Sequence, residues 1–160
     1  MSNRYVEDAL ALPSLEIVSS THRFNLRKYK QHLRVGGVEI DLYAYFTTRS
    51  GVERTVLIEL KDSDFTKLHK QLVDRVLMAN YVYGSINLPA YVILQDSYWR
   101  KLLMDLYHMG IGLITWQLQH PQVLLKAKFR SNLTAYSIKD EDKEGIWPGS
   151  NSGDNYEEGL

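Results

Sequence analysis

Asp41, Glu59 and Lys61 are the residues of this chain whose types and spacing could do chemistry. Glu59 and Lys61 stand two apart in the run Thr55 to Lys61. That run reads as a strand, so the two side chains leave it on the same side. Asp41 lies in the preceding alternating run, joined to the first by a turn around Ser50. Two converging carboxylates repel each other and call for a neutralising partner. An oxygen-only donor set suits Mg²⁺, with Mn²⁺ as a substitute. Such an ion lowers the pKa of bound water and polarises a phosphoryl oxygen. A neighbouring lysine can orient the water or offset charge building on phosphorus.

The elements around these residues must bring them together. Asn3 to Leu12 reads as a short helix, capped by Ser2 or Asn3 and ended by Pro13. Phe24 to Val35 reads as a strand whose apolar phase changes near Lys28, which suggests a bulge. Gly36-Gly37 marks a tight turn. In Val38 to Thr48, Val38, Ile40, Leu42, Ala44 and Phe46 share one face, and Glu39, Asp41, Tyr43, Tyr45 and Thr47 the other. Matching Ile40 and Leu42 to Val56, Ile58 and Leu60 across a hairpin puts Asp41 beside Glu59 and Lys61. Phe65, Leu68, Leu72, Val76, Ala79 and Tyr83 follow helical spacing, with Ser63 or Asp64 as cap and Gly84 as stop. Leu88 to Leu94 reads as a buried strand, Asp96 to Met109 as a helix stopped by Gly110, Ile111 to Trp116 as a strand, and Gln122 to Arg130 as a last one. The expected fold is α/β, a mixed central β-sheet flanked by helices.

The run Gly37-Val38-Glu39-Ile40-Asp41-Leu42, a hairpin, and then Ile58-Glu59-Leu60-Lys61 resembles the PD-(D/E)xK nuclease superfamily. That superfamily includes restriction endonucleases, archaeal Holliday-junction resolvases and Mrr-like enzymes. Ile40 stands where the motif's proline would be. The resemblance covers roughly residues 3–94 by element order. It implies a restriction-endonuclease-like core and Mg²⁺-dependent hydrolysis of phosphodiesters, with DNA favoured as the substrate and RNA as the alternative. Asp41, Glu59 and the Leu60 carbonyl would hold the metal, and Lys61 would position the attacking water. It also suggests Glu7 on the first helix, and Gln71 on the helix after Glu-x-Lys, with Lys67 one turn away. Enzymes of this size and type imply a homodimer. The competing expectation is a catalytically inactive module of the same fold that binds nucleic acid or a protein partner.

Arg23, Arg27, Lys28, Lys30 and Arg34 form a basic stretch, with no acid between Glu16 and Glu39. It reads as a phosphate-tracking strip, and Lys126, Lys128 and Arg130 as a weaker one. Glu39 shares the face of Asp41 and reads as an edge-of-site residue that could assist a second metal. His22, His32, His69, His108 and His120 show no ligand spacing along the chain, so no zinc site is expected.

The 160 residues carry 19 basic and 19 acidic side chains. Zero net charge argues against a generally basic nucleic-acid coat. The balance is a cancellation. Residues 1–138, read as one domain, carry 17 basic and 12 acidic residues, and residues 139–160, read as an acidic flexible tail, carry 2 and 7. The tail reads as a solubilising terminus, or as a handle for a protein partner. There is no cysteine, which excludes disulfide scaffolds and thiolate chemistry. No apolar run reaches membrane-spanning length and the N-terminus has no signal-peptide core, so a soluble cytoplasmic protein with no membrane partner is expected.

Overall fold

Alternation and glycine-marked turns predict a meander over residues 25–61, and the chain folds that way. β1 (Asn25–Val35), β2 (Val38–Thr47) and β3 (Glu53–Lys61) pair antiparallel in sequence order. Gly36 and Gly37 close the first hairpin at φ 56° and 80°, values that a two-residue turn with matching twist requires and that glycine adopts without strain. The expected bulge is present: the register slips between Leu26 and Lys28, leaving Arg27 as the extra residue. Leu42 faces Ile58 and Ala44 faces Val56, as the apolar faces demand. One departure matters for the site. Ile40 packs with Leu33, Tyr43 and Leu57 on one side of the sheet, while Leu42 packs with Ala44 and Ile58 on the other. The alternation therefore slips at Asp41.

The structure, a computed structural model, describes residues 4–133. The proposed cap at Ser2 or Asn3 and the acidic segment 139–160 lie outside the described residues. The sheet has six strands in the order β1-β2-β3-β4-β5-β6, where β4 is Tyr81–Ile86, β5 Gly112–Gln117 and β6 His120–Leu125. β3, β4 and β5 run parallel, and β6 returns antiparallel. Ahead of the sheet come α1 (Arg4–Ala9) and α2 (Ala11–His22). Leu15 and Val18 of α2 cover the sheet face that carries Leu42, Val56 and Ile58. The opposite face lies under α3 (Phe65–Arg75), α4 (Ala90–Gln95) and α5 (Ser97–Met109), through Phe65, Leu68, Leu72, Ile93, Leu103 and Leu106. The result is a mixed sheet between two helical layers. Among the described residues, no helix is long and apolar enough to cross a membrane.

Four expected elements are corrected. Pro13 does not end the first helix. It is the third residue of α2, where its missing N–H is one that no intrahelical partner would take. The helix after Glu-x-Lys stops at Arg75 rather than Gly84. Helical spacing continues through Ala79 and Tyr83, but Tyr81–Ile86 pair with β3 and become a central strand. Asn80 pins that entry: its side-chain oxygen accepts from the Thr55 N–H at 2.9 Å, and its own N–H donates to the Thr55 hydroxyl at 2.9 Å. With β4 filling the slot beside β3, the apolar run 88–94 has no place in the sheet and forms α4, entered through Pro89 in extended conformation. The last strand ends at Leu125 rather than Arg130. Beyond it, Arg130 donates to the Met109 carbonyl and takes the Asn80 side-chain amide on its own carbonyl.

Two glycines exist because helices and rings press on the sheet. A Cβ on Gly84 would come within 2.7 Å of the Leu72 side chain. A Cβ on Gly112 would run into the Tyr83 ring and lie 2.8 Å from the Ala127 backbone nitrogen. The leucine end can shift; the ring is held by its hydroxyl, which accepts from the Ala127 N–H at 3.2 Å. Overpacking costs about 1–3 kcal/mol. Gly112→Ala is expected at the top of that range and Gly84→Ala at the bottom, measured by urea unfolding; equal midpoints would contradict this packing.

Candidate active site

The pairing of β2 with β3 ends at Leu42 and Ile58, and the next pair along is Asp41 and Glu59. There the side chains take over the hydrogen bonds of the ladder. The Asp41 N–H donates to Glu59 Oε2 at 3.0 Å, and the Leu60 N–H donates to Asp41 Oδ2 at 2.8 Å. Each carboxylate holds the other's strand. Glu59 is 1% exposed and Lys61 5%. Glu7 reaches the same place from α1, where it is also buried and accepts from the Asp62 N–H at 3.3 Å. Asp41, Glu59, Leu60, Lys61 and Glu7 are thus brought together.

Their electrostatics agree. Burial, followed by the neighbouring Asp41 charge, pushes Glu59 up to about 8. Asp41 is raised chiefly by burial, against the Leu60 N–H and the Lys61 ammonium, which hold it down. Glu7 is raised by burial, with Lys61 opposing. Three carboxylates therefore share a desolvated site around one lysine.

Gln71 and a residue that spacing alone did not single out come from α3. Arg75 Nε lies 3.3 Å from Glu59 Oε1, on the helix turn after Gln71, and Arg75 also donates to the Gln71 carbonyl at 3.3 Å. The Gln71 side-chain oxygen is buried and has no hydrogen-bond partner among the described residues. The i, i+4 relation of Gln71 and Arg75 was the available signal, because it sets both on one helix face. Two more residues escape a reading by spacing. His32 Nε2 lies 2.9 Å from Asp8 Oδ1, and His32 Nδ1 lies 3.2 Å from Glu39 Oε2. His32, Glu39 and Asp41 present ligand atoms that all fall within 4.8 Å of one another. Asp8 follows Glu7 on α1 but carried no signal of its own.

The basic residues divide. Arg34 reaches Glu39 at 3.9 Å and Lys30 lies opposite Tyr43, so both sit on the site's half of β1. The Lys28 ammonium lies 5.9 Å from the centre of the Tyr45 ring, and Arg27 is the bulge residue. Arg23 ends α2 in a left-handed conformation. Asn25 pairs with Thr47, six residues from Asp41, so the strip leads away from the site for about 20 Å. Lys67 is exposed at the start of α3. Lys128 lies over the Tyr107 ring and Arg130 ties down Met109, so these two help hold the end of the domain in place.

No family model matches this chain, and no curated protein matches it. Among solved structures, it is similar to a protein of unknown function from Silicibacter pomeroyi, with 9% sequence identity and a TM-score of 0.48. The superposition covers 89% of this chain and 84% of that one.

The raised Glu59 pKa has a consequence for stability. The folded value lies above the ordinary 4.5, so the native state binds the proton more tightly than the unfolded chain. The stability this group contributes is complete below that ordinary value and is lost as pH rises through about 8. Asp41 acts in the same direction. In EDTA, the melting temperature is expected to fall by a few degrees between about pH 5 and about pH 8, and Glu59→Gln, which mimics the neutral acid, is expected to flatten that fall. Equal slopes for the two proteins would refute the assignment.

Proposed function

We propose that this chain is a metal-dependent nuclease of the PD-(D/E)xK type, acting on phosphodiesters of DNA. The observation that carries the reading is the interlock of Asp41 and Glu59 across β2 and β3 with Lys61 buried beside it. The order of helices, meander, α3 and parallel β4 also supports a restriction-endonuclease-like core. The residues fit a divalent cation. Asp41 and Glu59 are desolvated side by side, their pKa values are raised, and their donor atoms are oxygens. Asp41 and Glu59, with the Leu60 carbonyl, would hold Mg²⁺ or Mn²⁺. When bound, such an ion supplies a polarised phosphoryl oxygen and a water of lowered pKa.

The chain's own residues supply the rest. Lys61 offers a buried ammonium against the charge that builds on phosphorus. Its position is set by β3, on which it stands two residues from Glu59. The Leu60 N–H fixes Asp41, so its carboxylate needs little reorganisation. Arg75 sets a positive charge 3.3 Å from Glu59 Oε1. Glu7 ties α1 to the end of β3 through the Asp62 N–H. Lys30 and Arg34, on the half of β1 beside the site, would offer positive charge to a nucleic-acid backbone leaving it.

One observation favours a second reading. Both Glu59 oxygens already have partners inside the protein, the Asp41 N–H and Arg75. A site neutralised in this way also suits a non-catalytic module that binds nucleic acid along β1.

Cleavage of supercoiled, linear, single-stranded and four-way-junction DNA, and of RNA, with Mg²⁺ or Mn²⁺ separates the two. The wild type is expected to cut at least one DNA, and Asp41→Ala or Lys61→Met to lower the rate by about 10²-fold or more. If the wild type cuts no substrate that these variants leave intact, the enzyme reading fails and the binding module stands.

A further inference from the structure

We infer that His32, Glu39 and Asp41 form a nitrogen-containing cation site, one suited to Mn²⁺ or a later transition ion rather than Mg²⁺. It shares Asp41 with the hydrolytic centre proposed above, and it deepens that reading by naming the class of metal.

The two ring nitrogens of His32 take different parts: Nε2 meets an orienting carboxylate and Nδ1 is left as the ligand. Asp8 Oδ1 lies 2.9 Å from Nε2 of His32. A carboxylate on one ring nitrogen is the usual outer partner of a metal-bound histidine: it takes the N–H and turns the other nitrogen's lone pair toward the metal. That other nitrogen, Nδ1, is 3.2 Å from Glu39 Oε2. With Nε2–H donated to Asp8, a lone pair and a carboxylate oxygen face each other. Such a pair needs a shared cation between them, a proton or a metal ion. Ligand atoms of His32, Glu39 and Asp41 all lie within 4.8 Å of one another, so one ion can reach all three. The backbone supports the same aim. His32 has φ 56° in the middle of β1, a left-handed conformation that a histidine adopts at a cost of about 1–2 kcal/mol.

The competing cations are weakly held. Arg4 reaches Glu39 at 3.3 Å but is 59% exposed, and Arg34 is 3.9 Å away and 74% exposed. Exposed pairs of this kind contribute little and give way readily. Imidazole shifts a site's preference from Mg²⁺ toward Mn²⁺, Co²⁺, Ni²⁺ and Zn²⁺.

Titration of the full-length chain with Mn²⁺, followed by pulsed EPR, tests the assignment. The wild type is expected to show nitrogen hyperfine coupling on bound Mn²⁺ and to bind it at least about tenfold more tightly than Mg²⁺. His32→Asn, which tolerates the left-handed backbone, is expected to abolish the coupling and weaken Mn²⁺ binding at least about tenfold, with Mg²⁺ affinity unchanged. Glu39→Gln, on the partly exposed start of β2, is expected to weaken Mn²⁺ without changing the thermal melt. Absence of nitrogen coupling in the wild type, or unchanged Mn²⁺ affinity in both variants, would overturn the site. Metal-dependent cleavage without nitrogen coupling would do the same and leave the nuclease reading standing. Nitrogen-coordinated Mn²⁺ with no cleavage of any nucleic acid would keep the site and sink the nuclease reading.

Discussion

Two carboxylates do the work of a β-ladder where β2 and β3 part, and the site depends on that exchange. The Asp41 N–H and the Leu60 N–H are backbone donors that must be satisfied once buried. Satisfying them with Glu59 and Asp41 side chains keeps both strands in register while aiming two charges into one small volume. Ordinary ladder bonds would have left both side chains free to separate. A lone charge there would be costly, because desolvation favours the neutral acid. The raised pKa values of Asp41 and Glu59 are the expression of that cost.

The surrounding elements act as counterweights to this concentration of negative charge. Lys61 comes from the same strand as Glu59, and Arg75 from α3 on the overlying helical layer. α1 is tied across the end of the sheet by Glu7 to the Asp62 N–H and by Asp8 to His32. The apolar core is what lets these polar contacts be short. Leu68 and Leu72 press on Gly84 directly under α3, so the helix sits close to the sheet.

Much of the fold could be read along the chain because its signals are local. Period-two alternation and paired glycines mark the β1–β2 hairpin; Asp96 and Gly110 bracket α5 as cap and stop. Elsewhere a tertiary demand outweighs the local pattern. Residues 76–83 keep helical spacing, yet a parallel sheet needs a strand between β3 and β5, and Tyr81–Ile86 fill it. Residues 88–94 are apolar enough for a strand, but that slot is already taken. Pro13 reads as a terminator only if the helix start is misplaced.

For the site, the sequence by itself determined that Asp41 comes level with Glu59 and that Lys61 stands two residues further along the same strand, because hairpin register follows from residue order. Only the tertiary structure decided what meets them. Arg75 arrives because α3 crosses above β3, and His32 because a left-handed residue in β1 turns its ring toward Asp8, Glu39 and Asp41. Neither follows from spacing, since each contact joins residues on different elements whose closeness is set by packing. The slip of alternation between Ile40 and Leu42 is of the same kind. It arises where two carboxylates replace a ladder, a choice that exists only once β2 and β3 lie side by side.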